Sequence, residues 1–200
     1  MNVFAYRGFA DATLEEIAER AEYGKGTIYS YFQSKEELFE AVVDEGLNRL
    51  LELARHSCLQ ADRGFEACYR TFAREFLTYI FEHSAISALI MREAHQQGKH
   101  NALRSRFPEL IEALCVPLPP RFILADGAAV ESHLIASMFL TVVLSAFQLS
   151  LSDSTAMCAV QPPDANSPLP SDTEERIQAL MALIDLTFFR GVLSATTEPN

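Results

Sequence analysis

The densest chemistry in this sequence lies between Lys25 and Lys35, in the run KGTIYSYFQSK. It offers two ammonium groups, Lys25 and Lys35, and two phenols, Tyr29 and Tyr31. Thr27 and Ser30 add hydroxyls, and Gly26 adds a position with no side chain. None of these groups pairs a nucleophile with a base. Ammonium, phenol and hydroxyl donors suit phosphate oxygens. Short residues such as Gly26, Thr27 and Ser30 suit a close approach to base edges in a major groove about 12 Å wide. Thr27 carries both a hydroxyl and a methyl, which fits a thymine edge or a phosphate.

Other chemistries have weaker support. No Ser-His-Asp set, H-E-x-x-H, P-loop or G-x-G-x-x-G pattern occurs, so catalytic residues, cofactors and an enzymatic role are not expected. His95 and His100 do not share a helix face, which makes them a poor metal pair, and no metal is expected. Cys58, Cys68, Cys115 and Cys158 lack C-x-x-C spacing and are expected to be reduced, mostly buried thiols.

The elements that would position the Lys25–Lys35 run are helical. Residues 3 to 7 read as the end of a helix stopped by Gly8. Thr13 and Glu16 have the spacing of a capping box and start a helix with Leu14, Ile17, Ala18 and Ala21 on one face. Lys25 to Phe32 forms a short helix. At about 100° per residue, Ile28 and Phe32 share its inner face while Gly26 and Ser30 point away. Ser34 and Glu37 form a second capping box that opens a long helix. A short helix, a tight turn, a second short helix and a long one make a helix-turn-helix layout. Spacing alone leaves DNA binding and an ordinary helical hairpin both open.

The remainder also reads as helices. Phe65, Tyr69, Phe72, Phe76 and Ile80 form a stripe over residues 65–83. Residues 84–97 form a helix ended by Gly98, and 101–116 form two short pieces, with Pro108 in the first turn of the second. Asp126 can cap a long helix reaching about Leu151. Residues 152–172, rich in Ser, Pro and Asp, read as a flexible loop. Asp172 and Glu175 can box the start of the last helix.

Composition sets limits on the partners. Of the 200 residues 49% are hydrophobic, enough for a real core. Sixteen basic residues against 27 acidic ones leave a net charge of -11, which excludes a general polyanion binder but not one small DNA-touching face. The run between Glu131 and Asp153 carries no Asp, Glu, Lys or Arg. Its recurring Ser, Thr and Gln, and the lack of a basic flank, favour a buried helix over a membrane span.

Residues 3–48 resemble the DNA-binding domain of the TetR/AcrR family of bacterial transcriptional regulators. The family pattern K-G-T-[IL]-Y-x-[YH]-F-x-[SN]-K-E is met at Lys25, Gly26, Thr27, Ile28, Tyr29, Tyr31, Phe32, Ser34, Lys35 and Glu36. The resemblance implies an all-α chain with two domains. Residues 1–48 would form a three-helix DNA-binding domain, and 49–200 a larger helical ligand-binding and dimerisation domain. It implies DNA contacts at Lys25, Thr27, Tyr29, Tyr31 and Lys35, with Thr13 on a phosphate. Gly26 and Ser30 join these from helical geometry. The implied protein is a cytoplasmic homodimer on a palindromic double-stranded operator, paired through residues 128–151 and 173–194. It is a repressor released by a small apolar or amphipathic effector.

Two departures from the family pattern stand out. Where the family has a glycine and an apolar residue in the turn, this sequence has Glu22 and Tyr23; Tyr23 is expected to plug the small core. The first helix is expected to be truncated, because the sequence starts close to the end of it. That leaves a second reading open, a dimeric small-molecule-binding protein that has lost DNA binding. For the effector, Tyr69, Phe72, Phe76 and Tyr79 could line an apolar pocket or simply build core. Arg92, His95, His133 and Met138 complete the candidate set.

Overall fold

The computed structural model describes residues 2–59, 64–83, 87, 102–124, 127–152, 171–192 and 196–197. The chain divides into two compact units, Met1–Arg49 with His83–Phe107, and Leu50–Glu82 with Pro108–Asn200.

The first unit holds α1 (Asn2–Asp11), α2 (Leu14–Arg20), α3 (Lys25–Tyr31) and the first half of α4 (Lys35–Leu59). Its core is small. Val3 and Phe4 from α1, Ala12, and Leu14, Ile17 and Ala18 from α2 bury against Leu38, Phe39, Val43 and Leu47 of α4. Three rings brace it: Phe39 lies 5.5 Å from Phe4 and 4.9 Å from Phe9, and Phe4 lies 6.0 Å from Phe9. These contacts explain one correction. Helix α1 runs through Gly8 to Asp11 rather than stopping at Gly8. A mid-helix glycine costs only about 1 kcal/mol, and continuing the helix seats Phe9 against Phe39.

The second unit holds the end of α4, α5 (Phe65–Glu82), the part of α6 (Ala102–Cys115) from Pro108 on, β1 (Arg121–Leu124), β2 (Ala129–Glu131), α7 (Ser132–Ser152), α8 (Ser171–Ile184) and β3 (Thr196–Thr197). After Ile184 the last helix widens to π-helical winding over Asp185–Val192. The core is aromatic. Phe139 of α7 stacks on Tyr69 at 4.2 Å and lies 5.0 Å from Phe188 and 6.1 Å from Phe72. The buried Tyr69 hydroxyl donates to the Leu114 carbonyl at 3.0 Å, so its one polar atom is satisfied. Burial pushes its phenol pKa upward. On the outside, Arg70 pairs with Asp185 and lays its guanidinium 3.9 Å from the Phe189 ring, and Arg74 pairs with Glu174. The uncharged α7 buries Ile135, Ala136, Phe139, Leu140, Val143, Ala146 and Phe147. Its apolar run is therefore used in packing.

Several elements differ from the sequence expectations. The fold is helical apart from a small sheet of strand order β2-β1-β3, in which Phe122 faces Val130 and Ile123 faces Ala129 and Thr197. The strands are too short to show a period in sequence, and Gly127, at φ 86, marks the turn that makes the hairpin. Helix α7 consequently starts at Ser132, not near Asp126, and the Ser132 hydroxyl donates to the Pro119 carbonyl. The stretch 102–115 is one helix with Pro108 inside it. The burial of Leu110, Ala113 and Leu114 on one side outweighs the one backbone bond that proline removes. Helix α8 begins at Ser171, so Asp172 sits in its first turn rather than at its cap. Cys58 and Cys68 are buried thiols and Cys115 is half-buried; burial pushes the Cys58 thiol up to about 12. The expected helix 84–97 apart from Ser87, most of the loop 152–172, Asp126 and Cys158 lie outside the described residues.

Phe139 touches four other rings, so Phe139→Ala should destabilise the second unit by about 3–5 kcal/mol. Tyr69→Phe, which strands the Leu114 carbonyl, should cost about 1–3 kcal/mol. Urea denaturation followed by circular dichroism checks both; a smaller loss for Phe139→Ala than for Tyr69→Phe would refute this account of the core.

Candidate nucleic-acid interface

The turn between α2 and α3 is built from backbone bonds. Thr13 is extended (φ -121, ψ 151), and its Oγ1 accepts the Glu16 N–H at 3.2 Å, which caps α2. At the other end the Tyr23 N–H donates to Ala18 and the Glu22 N–H to Glu19, at 3.0 and 3.1 Å. This is a Schellman closure, and it needs a left-handed residue in the middle. Glu22 is that residue, at φ 57. The departure from glycine is therefore a strained position, since a side chain in this region costs about 1–2 kcal/mol. Tyr23 does not plug the core: it stands 61% exposed. The polar phenol and the outward turn of the chain keep it in solvent.

Helix α3 follows from Gly24, which provides no side-chain cap; the Thr27 N–H bonds the Gly24 carbonyl at 2.8 Å. No side chain of α3 is buried, and Ile28 and Phe32 are half-buried rather than deep anchors. A Cβ added at Gly26 would meet nothing within 4 Å, so the outer surface of α3 is open at that point. Thr27 is exposed, Ser30 donates its hydroxyl back to the Thr27 carbonyl at 2.7 Å, and Tyr31 is 74% exposed. Gly26, Thr27, Ser30 and Tyr31 thus share the solvent-facing part of one helix.

Lysine and tyrosine partners were not legible in the sequence. Glu15 Oε1, on α2, accepts the Tyr29 hydroxyl at 2.7 Å and lies 3.0 Å from Lys25 Nζ. The Tyr29 hydrogen bond, and then that of Lys25, hold the Glu15 carboxyl down at about 2, while the same carboxylate raises the Tyr29 phenol. Lys35 turns the other way. Its ammonium donates to the Ala10 carbonyl at 2.8 Å and sits 4.8 Å from the centre of the Phe9 ring. It thereby satisfies an orphan carbonyl at the end of α1 and ties α1 to α4. The start of α4 is capped by Ser34, whose Oγ accepts the Glu37 N–H at 3.1 Å. Glu37 in turn accepts the Gln33 N–H at 2.6 Å. Glu15 has the residue type of a first-turn acid, which sequence reading takes as a dipole signal; nothing local connects it to α3.

Residues 1–42 match the profile of the bacterial regulatory proteins of the tetR family. This N-terminal stretch is similar to the tetR family. It is 35% identical over 63 residues to YfiR, an HTH-type transcriptional regulator of Bacillus subtilis, covering 30% of this chain and 31% of that protein. The match to the curated relatives therefore spans less than a third of their length. Over most of its residues the chain is similar in fold to two solved regulators. One is FadR from Bacillus subtilis in complex with stearoyl-CoA, with TM-score 0.61, 15% identity and 92% of each chain covered. The other is PfmR from Thermus thermophilus, with TM-score 0.60, 16% identity, and 93% of this chain and 89% of that one covered. The curated relatives matched are HTH-type transcriptional regulators by name.

The effector candidates fall into two groups. Tyr69, Phe72 and Phe76 come together in the aromatic core, and Tyr79 is half-buried beside them on α5. His133 and Met138 are exposed on α7 and do not join that cluster. Arg92 and His95 lie outside the described residues.

Because Glu22 holds a left-handed conformation, Glu22→Gly should relieve it. Set against the extra chain entropy of glycine, about 0.5–1 kcal/mol, the net gain is about 0.5–1 kcal/mol. Thermal denaturation checks this, and a lower melting temperature for Glu22→Gly would show that the turn is not strained.

Proposed function

We propose that the chain is a homodimeric, sequence-specific DNA-binding regulator. In this reading it is a repressor that leaves a palindromic operator when a small apolar or amphipathic molecule binds its larger helical part. It acts in the bacterial cytoplasm, where such an operator is found. The observation that carries the reading is α3, a helix with no buried side chain whose outward residues are small or polar and include the open Gly26. The outward residues of such a helix gain little from packing in their own fold; a major groove gives them a partner. Thr27 and Gly26 then approach base edges. Lys25, Tyr29 and Tyr31 reach backbone oxygens, and Thr13 a flanking phosphate; Ser30 does so only if its hydroxyl leaves the Thr27 carbonyl. Lys35 contributes through its hold on α1, and reaches phosphate only if it leaves Ala10.

Dimer formation is supported by apolar side chains left in solvent on two helices. On α7 these are Leu134, 58% exposed, and Met138; on the last helix they are Leu183 and Leu186, the latter 62% exposed. A second copy of the same two helices would cover them as a four-helix bundle. For the effector, the stearoyl-CoA bound by FadR is one example of an amphipathic molecule taken by a protein of this fold. The rings of Tyr69, Phe72 and Phe76 are packed against their neighbours, so an effector entering there must separate them. That separation favours a state in which the two recognition helices no longer match successive turns of the groove.

The test is fluorescence anisotropy on a duplex enriched from a random pool by the wild-type chain. Thr27→Ala should weaken binding about 10-fold. Gly26→Ala should bind less well yet melt no lower, since alanine is the better helix former by about 1 kcal/mol. Equal affinity of wild type and both variants would remove α3 from the interface.

In sedimentation velocity the wild-type chain should run as a dimer and Leu134→Asp as a monomer; a monomeric wild type would sink the proposed pairing of the last two helices.

A further inference from the structure

Glu15 has no part in the scheme above, yet it touches two of its members. A single oxygen, Oε1, takes the Tyr29 hydroxyl at 2.7 Å and faces Lys25 Nζ at 3.0 Å. Both donors come from α3, while Glu15 belongs to the first turn of α2. Glu15 is not needed to cap α2, because Thr13 takes the Glu16 N–H. Nor does it build core: its side chain is 46% exposed. What it does is present an anionic oxygen to the two α3 groups best suited to a phosphate. Glu19 follows it on α2 four residues on, which keeps both acids on one side of that helix, and both are exposed.

The geometry points to Glu15 as an internal stand-in for a DNA phosphate, an affinity-setting residue that competes with the backbone for Lys25 and Tyr29. The inference rests on the reading of α3 as the DNA-facing helix. When a duplex approaches, either Lys25 and Tyr29 release Glu15, or a phosphate must share them with a carboxylate. Both routes weaken the phosphate contact. The phosphate term is common to every sequence, whereas the base-edge contacts of Gly26 and Thr27 do not involve Glu15. Glu15 therefore lowers affinity for all DNA by a similar factor. Non-specific duplexes are left poorly occupied, and only sites with full base contacts are held. This gives an acidic protein a single attenuated point of contact with a polyanion.

The experiment uses the full chain and two probes, the enriched duplex and a short mixed-sequence duplex. Glu15→Gln keeps the size and removes the charge. It should bind both duplexes about fivefold more tightly at low salt, leaving their ratio unchanged. Its log–log salt slope should steepen by about 1, as one more cation becomes available to displace counterions. Glu15→Ala should shift both quantities in the same direction, which guards against an effect of the new amide. In a Lys25→Ala, Tyr29→Phe background the gain from Glu15→Gln should fall below about twofold, because no competition remains. Unchanged or weaker binding by both Glu15 variants overturns the inference, as does a gain that persists in full without Lys25 and the Tyr29 hydroxyl. Lys25→Ala, Tyr29→Phe with Glu15 intact is the control for the underlying reading. If that variant binds as wild type does, or if no duplex is enriched, the DNA-facing assignment of α3 falls and takes this inference with it. If the variant binds more weakly while the Glu15 variants are unchanged, the inference alone falls.

Discussion

A helix of seven residues that buries none of its side chains cannot hold itself in place. This constraint governs the first unit. Isolated helices this short do not persist in water, so α3 depends on what surrounds it. Ile28 and Phe32 press half-buried against the small core. The Schellman closure at Glu22 sets the angle at which the chain enters α3, and Glu15 bridges its outer groups back to α2. Behind these stand the three rings of Phe4, Phe9 and Phe39 and the bond from Lys35 to Ala10, which hold α1 against α4. The arrangement leaves the outer face of α3 free of any structural task. That freedom is what a reading helix requires.

The second unit solves the opposite problem. It has abundant apolar surface and must arrange it without leaving buried polar atoms. Tyr69 shows how: its ring stacks on Phe139 and its hydroxyl finds the Leu114 carbonyl. The charged groups stay outside, where Arg70 bridges α5 to Asp185 and covers Phe189. The Arg70 hydrogen bond holds the Asp185 carboxyl below its usual range. Leu134, Met138, Leu183 and Leu186 remain uncovered on the last two helices, and Val116 on the chain between α6 and β1. Apolar residues at this density on two helices of one chain are the usual mark of a surface meant for a partner.

The strongly negative net charge and the few lysines near α3 no longer conflict once their pairing is seen. Lys25 faces Glu15, and Lys35 faces a helix end. Neither is a free cation waiting for DNA. Both lysines are held by local partners. Under the proposed function an incoming phosphate has to displace such a partner, which weakens backbone affinity and leaves base-edge contacts to decide where the chain binds.

Much of the N-terminal architecture was legible in the sequence. The cap at Thr13, the cap at Ser34, and Leu14, Ile17 and Ala18 on the inner face of α2 stand as read, because each depends on groups three or four residues apart; Ala21, also read on that face, is the exposed residue that ends the helix. The aromatic stripe of α5 was also legible as a helix face, though it did not reveal that Phe139 and Phe188 would close over it. The short β1–β2 hairpin, the passage of α1 through Gly8 and the continuity of α6 through Pro108 were not. In each of these, packing against distant residues overrode the local signal. The same holds for the candidate site. The sequence by itself determined that Gly26 and Ser30 stand on the outward side of α3, since helical geometry follows from order along the chain; that Tyr31 is also exposed it did not. Only the tertiary structure decided that Glu15 would meet Lys25 and Tyr29, and that Lys35 would turn to Ala10. Those contacts join groups brought together by folding, and no local periodicity records them.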